Sequence, residues 1–276
     1  MNTVRDSYPI ILRSTYQQTT TGLLWQPPSW KHRTIGTNRV VSDFTSQEGI
    51  RLHKFELTNR AAASINLGIG FRIANRFWIG GAWTTAAFVI DTTDYQDAGT
   101  SDFILEAAAT NDDGFVIACP FKFDWVSLKV GTAGVDGAGA ADHAVTYSNV
   151  AGTGWTALGS SATFTDQFTT TNTTYSTGAL EFVWSPPMDW GKVTSLSVIP
   201  AGYYALKIAA TTAVDTTAAL GSVCEIGVMP FVQEGLADNG IYSGEVNYTC
   251  HEADALVAYF STAAAGNQVY AECETA

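Results

Sequence analysis

Few side chains in this sequence could do chemistry, and their spacing limits which chemistry is open to them. Six acids crowd two short stretches: Asp91, Asp94, Asp97 and Asp102 in "DTTDYQDAGTSD", and Asp112 and Asp113 in "NDDG". They offer the hard oxygens that Ca²⁺ takes, but not the spacing of the helix-flanked Ca²⁺ loop, with Gly at its sixth place and Glu at its twelfth. Two acidic turns in a Thr-rich surface account for them more simply, so no metal site is assigned. The stretch "CHEAD" sets Cys250, His251, Glu252 and Asp254 together. On a strand, successive side chains point to opposite faces, so Cys250 and His251 cannot pair directly. His32, His53, His143 and His251 fall in four separate segments. No Gly-x-Ser-x-Gly elbow, His-Glu-x-x-His helix or Gly-rich phosphate loop is present. The expectation is no catalytic residue, no cofactor and no enzyme activity, although two carboxylates suited to glycoside hydrolysis need only meet in space. Trp155 in "GTGW" and Tyr175 in "TTYSTG" stand in turn-rich regions. They fit either a platform for a host-surface glycan or a plug at the end of a sheet.

The elements that would carry these residues are strands. The chain has 276 residues, 46% hydrophobic and only 14% charged. Globular chains average nearer a quarter charged, so Thr, Ser, Asn and Gly must build much of the surface. From Phe55 onward, short runs of β-formers alternate with Gly, Asn and Asp clusters. Examples are "ASINLGIGFRI", "DDGFVIACPFKFDWVSLKV", "HAVTYSNV", "EFVWSPP" and "YYALKIAAT". In "FDWVSLKV", Lys129 points away from Leu128 and Val130, as a period of two requires. Many short strands with turns every 8–12 residues predict an all-β body, a β-sandwich or jelly roll. The expected division is an extended N-terminal arm over 1–54, a sandwich body over 55–235 and a short β extension over 236–276. That extension should hold strands at 241–250, 255–262 and 267–273, with "AAGNQ" closing the last hairpin. Whether these strands join the main sandwich stays open.

Charge is distributed unevenly. Residues 1–60 hold eight Lys and Arg against four acids, whereas the rest hold six against twenty-two, and no Lys or Arg follows Leu236. An acidic body argues against a nucleic-acid partner. A basic arm suits docking on something acidic, including another copy of the body. Trp25, Trp30, Arg33, Arg39 and Arg51 are its candidate contacts, because exposed tryptophans flanking Pro27 and Pro28 are costly to leave in water. Cys119, Cys224, Cys250 and Cys273 show no metal-ligand spacing and read as small buried apolar residues in a reducing cytoplasm. No secretion signal and no membrane span is read.

In "SPPMDWGKVTSLSVIPAGYYALKIAAT" two prolines end a strand, Trp190 folds back as a plug, and a glycine restarts a strand. Around this corner, segments follow one another in a set order. They are Phe123-Asp124-Trp125, Val145-Thr146-Tyr147, Gly154-Trp155-Thr156-Ala157-Leu158, Thr177-Gly178, Pro187-Met188-Asp189-Trp190 and Gly202-Tyr203-Tyr204-Ala205-Leu206-Lys207-Ile208. From about Phe121 to Thr212, a third of the chain, this order resembles a β-sandwich pattern of structural proteins from tailed bacteriophages. A loosely matched Thr165-Asp166, and Lys207 where the pattern has Arg, depart from it. The resemblance implies a virion component, assembled in the host cytoplasm, on the head surface or in the tail, neck, baseplate or fibres. It carries no catalytic residues. Its partners would be the major capsid protein or other virion proteins, with a homo-oligomer, such as a trimer, fitting head threefold sites.

Overall fold

The computed structural model describes residues 10–14, 22–25, 32–35, 39–42, 49–73, 78–81, 89–91, 103–106, 114–136, 143–159, 163–166, 178–196, 199–210, 215–217, 219–261 and 267–275. Every regular element among them is a strand, as the alternation predicts. The first segment carries β1 (Ile10–Ser14), β2 (Gly22–Trp25), β3 (His32–Ile35) and β4 (Arg39–Ser42). Then come β5 (Ile50–Thr58), β6 (Ile65–Ile73), β7 (Trp78–Gly81), β8 (Val89–Asp91), β9 (Phe103–Glu106) and β10 (Gly114–Cys119). The middle holds β11 (Trp125–Thr132), β12 (Val135–Asp136), β13 (His143–Ser148), β14 (Trp155–Ala157), β15 (Thr163–Asp166) and β16 (Gly178–Trp184). The chain closes with β17 (Tyr204–Ala210), β18 (Asp215–Thr217), β19 (Ala219–Leu236), β20 (Ile241–Cys250), β21 (Ala253–Phe260) and β22 (Gln268–Thr275).

By contacts the chain falls into two compact units, one of residues 1–35, 40–74 and 227–276, the other of 36–39 and 75–226. These boundaries run elsewhere than those of the arm, body and extension read from the sequence. In the first unit, one sheet has the order β1-β22-β5-β20, and a second places the 227–236 half of β19 beside β6, then β21, then β2. Ile50, Leu52, Phe55 and Leu57 of β5 share one buried cluster with Leu67, Ile69 and Phe71 of β6, Leu256 and Phe260 of β21, and Cys273 of β22. Apolar side chains at every second position therefore turn inward from both sheets, which is a β-sandwich. Gly70 lets the backbones of β6 and β19 come together, since a Cβ there would run into the Val228 carbonyl.

Two expectations are corrected. Residues 50–54 are no part of an arm: they open β5, which is paired on both sides, with β22 and β20. The last two strands are no hairpin. β21 pairs β6 and β2, while β22 pairs β5 and β1. A turn signal marks where the chain reverses, but a period of two cannot say whether the next strand stays in the sheet or crosses to the other.

In the second unit, one sheet runs β14-β13-β17-β10-β7-β8, another runs β15-β16-β11, and β9 pairs the Ala219–Gly221 start of β19. All six residues of β10 are buried. The four cysteines of the chain are buried, and none is in a disulfide. Burial pushes the Cys224 thiol well up, and the neighbouring Glu225 charge adds to the effect. They behave as the small apolar residues expected.

Candidate functional site

The corner of the second unit is where the quoted motifs meet. β16 ends at Trp184 because Pro186 and Pro187 have no N–H to give a ladder. The chain turns, the Trp190 amide donates to the Pro187 carbonyl at 3.3 Å, and the Trp190 ring enters the core, 3% exposed. Its indole N–H reaches Ser148 Oγ at 3.2 Å and the Ala205 carbonyl at 3.1 Å. Ser148 Oγ in turn donates to the Gly191 carbonyl at 2.6 Å and accepts from the Ala205 amide at 3.1 Å. Trp190 lies 5.2 Å from Phe123 and 5.6 Å from Tyr204, ring centre to ring centre. Tilted and edge-on pairs of this kind are favourable beyond the area they bury. The Tyr147 hydroxyl donates to Asp189 Oδ1 at 3.0 Å. Its pKa is raised by desolvation, then by the hydrogen bond to Asp189 and that residue's charge. These groups are committed to one another, so the corner is architecture.

Lysines here sit on rings. Lys122 Nζ and Lys192 Nζ lie 5.6 and 5.3 Å from the centre of Tyr204, and Lys207 Nζ lies 5.3 Å from that of Trp155. Trp155, a candidate glycan platform, is half-buried against the cluster of Val116, Ala118, Val193, Leu196, Ile199 and Ala205. Tyr175 lies outside the described residues.

Glu181 is the unit's notable buried acid, 3% exposed. It accepts the Trp125 indole N–H at 2.7 Å and the Ser127 hydroxyl at 2.9 Å, cross-strand from β11. Removing the acceptor leaves a buried donor without it, which costs about 2–3 kcal/mol. Glu181→Ala should lower stability by that amount in urea melts, and Glu181→Gln, which keeps a carbonyl oxygen, by about 1 kcal/mol.

The first unit offers a different surface. On the side of the four-stranded sheet away from the core, register sets Glu245 of β20 and Glu272 of β22 on either side of Lys54 of β5. The ladder slips at this point. β22 places nothing between the partners of Leu52 and Lys54, so His53 is an extra residue, and β20 places both Val246 and Asn247 there. A bulge of this kind re-aims side chains. His53 and Lys54 are both half-exposed although they are neighbours in a strand. His53, Lys54, Glu245, Val246, Asn247 and Glu272 line an open hollow of about 500 Å³. Lys54 Nζ lies 3.8 Å from Glu245 Oε1, and the two side chains are 41% and 86% exposed. The Tyr270 hydroxyl donates to Glu272 Oε1. None of these lining residues except His53 was singled out in the sequence. No signal could have found them, because the hollow depends on the register of segments 190 or more residues apart.

Of the arm candidates, Trp25 lies in β2, Arg33 in β3 and Arg39 in β4, while Trp30 lies outside the described residues. Arg51 is in β5, and its Nε donates to Thr249 Oγ1 at 3.1 Å across the sheet. Asp91 ends β8, and Asp94, Asp97, Asp102, Asp112 and Asp113 lie outside the described residues. Among the described residues no group of three or more His, Cys, Asp or Glu is placed to hold a metal ion, and no helix is long and apolar enough to cross a membrane. Cys250 ends β20 and is buried, whereas His251 is exposed in the turn that follows, so the two are not successive strand residues as expected. Comparison with protein-family models, with curated proteins and with solved structures finds no match.

Proposed function

We propose that the chain is a non-enzymatic structural protein of a tailed-phage virion, decorating or cementing the head through its N-terminal segment. One observation carries this reading. Residues of the phage-like motif order, Phe123, Tyr147, Trp190 and Tyr204, are neighbours in one aromatic cluster at the corner of the second unit. The residues that carry the resemblance thus belong to one piece of architecture, which supports this reading. The basic first segment supplies the means of attachment. β1 and β2 are the outermost strands of the two sheets of the first unit. Strands added at a sheet edge bind through main-chain hydrogen bonds, so the same segment can seat on the edge of a neighbouring subunit. A standard contact of this sort buries roughly 800 Å² per partner, and repetition around a symmetric shell multiplies modest affinities. An antibody against the chain, viewed by electron microscopy, should label the heads of intact tailed particles. Labelling confined to tails would move the protein to the tail, and unlabelled particles would overturn the reading.

A further inference from the structure

We propose that the hollow at the His53 bulge is a saccharide site, taking a neutral or amine-bearing sugar unit. The inference does not rest on the virion reading; it follows from what lines the hollow. A volume of about 500 Å³ suits one or two sugar rings and falls in the range of small-molecule sites. Its polar lining supplies both halves of a hydroxyl's hydrogen bonding. Glu245 and Glu272 accept, Lys54 donates, and the Asn247 amide does both. The Glu245 carboxylate, with two oxygens, can span a pair of vicinal hydroxyls, which sugars present and most metabolites do not.

The groups are partly set in advance. The Tyr270 hydroxyl holds Glu272 through one oxygen and leaves the other for a ligand. Lys54 is drawn toward Glu245, yet at 3.8 Å with both side chains exposed the pair is loose. Exposed pairs of this kind contribute at most about 1 kcal/mol, so a ligand loses little by intervening. The bulge brings the groups together, since it turns His53 and Lys54 to a common side where a regular strand would divide them.

Charge selects the class of sugar. Among the residues that line the hollow, two carboxylates face one ammonium. Phosphorylated or sialylated sugars are therefore repelled, and an amino group on the sugar is welcomed by Glu245 or Glu272. Shallow polar sites bind single sugars weakly, and many copies on one surface convert weak contacts into adhesion.

The test uses the full chain. Saturation-transfer NMR should show contact with glucosamine or methyl glucoside and none with N-acetylneuraminic acid or glucose 6-phosphate. Asn247→Ala alone, and Asn247→Ala with Glu272→Gln, should each weaken the sugar signal at least tenfold while leaving the melting temperature within a few degrees of the parent. Asn247 is exposed, so the single variant keeps the test decisive if the double variant fails to fold. No contact with the neutral or amino sugars, stronger contact with the acidic ones, or undiminished contact in the Asn247→Ala variant overturns the site.

Discussion

A chain lacking residues 1–48 should still fold, and one lacking residues 1–54 should not. The six further residues contain Ile50 and Leu52, both 0% exposed, in the strand that stands between β22 and β20. Truncating one such core side chain costs about 2–5 kcal/mol. Loss of both, with the ladder on two sides, approaches the 5–15 kcal/mol that holds an ordinary domain together. Removing β1 and β2 is milder, because each is outermost in its sheet and its loss leaves the strand order inside intact. The shorter deletion should therefore keep its strand-type circular dichroism and a cooperative melt at lower temperature. The longer one should be insoluble or melt without a transition. Equal melting of the two would mean that β5 does not organise the first unit. The shorter deletion is also the proper instrument for the docking reading, since a deletion through residue 54 would confuse lost attachment with lost fold.

Much of this fold was legible because alternation is a local property. The tail strand expected at 241–250 is β20 as read, and those expected at 255–262 and 267–273 fall within two residues of β21 and β22. The corner was legible for the same reason, since Pro186, Pro187 and Trp190 act within one turn of chain. What escaped depends on distant partners or on signals that point the other way. β19, at 18 residues, was not read as a strand. Pro230, Gly221 and Gly227 lie in it, and such residues ordinarily mark a turn. The opening of β5 looked like arm because His53 and Lys54, two polar residues in succession, interrupt its apolar alternation. The bulge at His53 is the cause of that interruption, and a bulge is visible only once β20 and β22 are set alongside. The hollow was invisible for the same reason, as Lys54, Glu245 and Glu272 share no local pattern.

Trp190→Ala should be among the most damaging single substitutions in the described part of the second unit. The ring contacts Phe123, Trp184 and Tyr204, and its N–H serves both Ser148 and the Ala205 carbonyl. Truncating a buried tryptophan costs about 3–5 kcal/mol, and two acceptors lose their donor as well. Trp190→Phe separates the two contributions, because it keeps most of the packing and forfeits only the N–H, at about 1–3 kcal/mol. Met188 is the control: it stands two residues away on the same turn and is 100% exposed, so Met188→Ala should stay within about 0.5 kcal/mol of the parent. Chemical denaturation followed by tryptophan fluorescence measures all three variants. If Trp190→Ala melts like Met188→Ala, the indole does not seal the sheet end. The motif order that suggests a phage protein would then describe a surface instead of a core, and the proposal resting on it would fall with it.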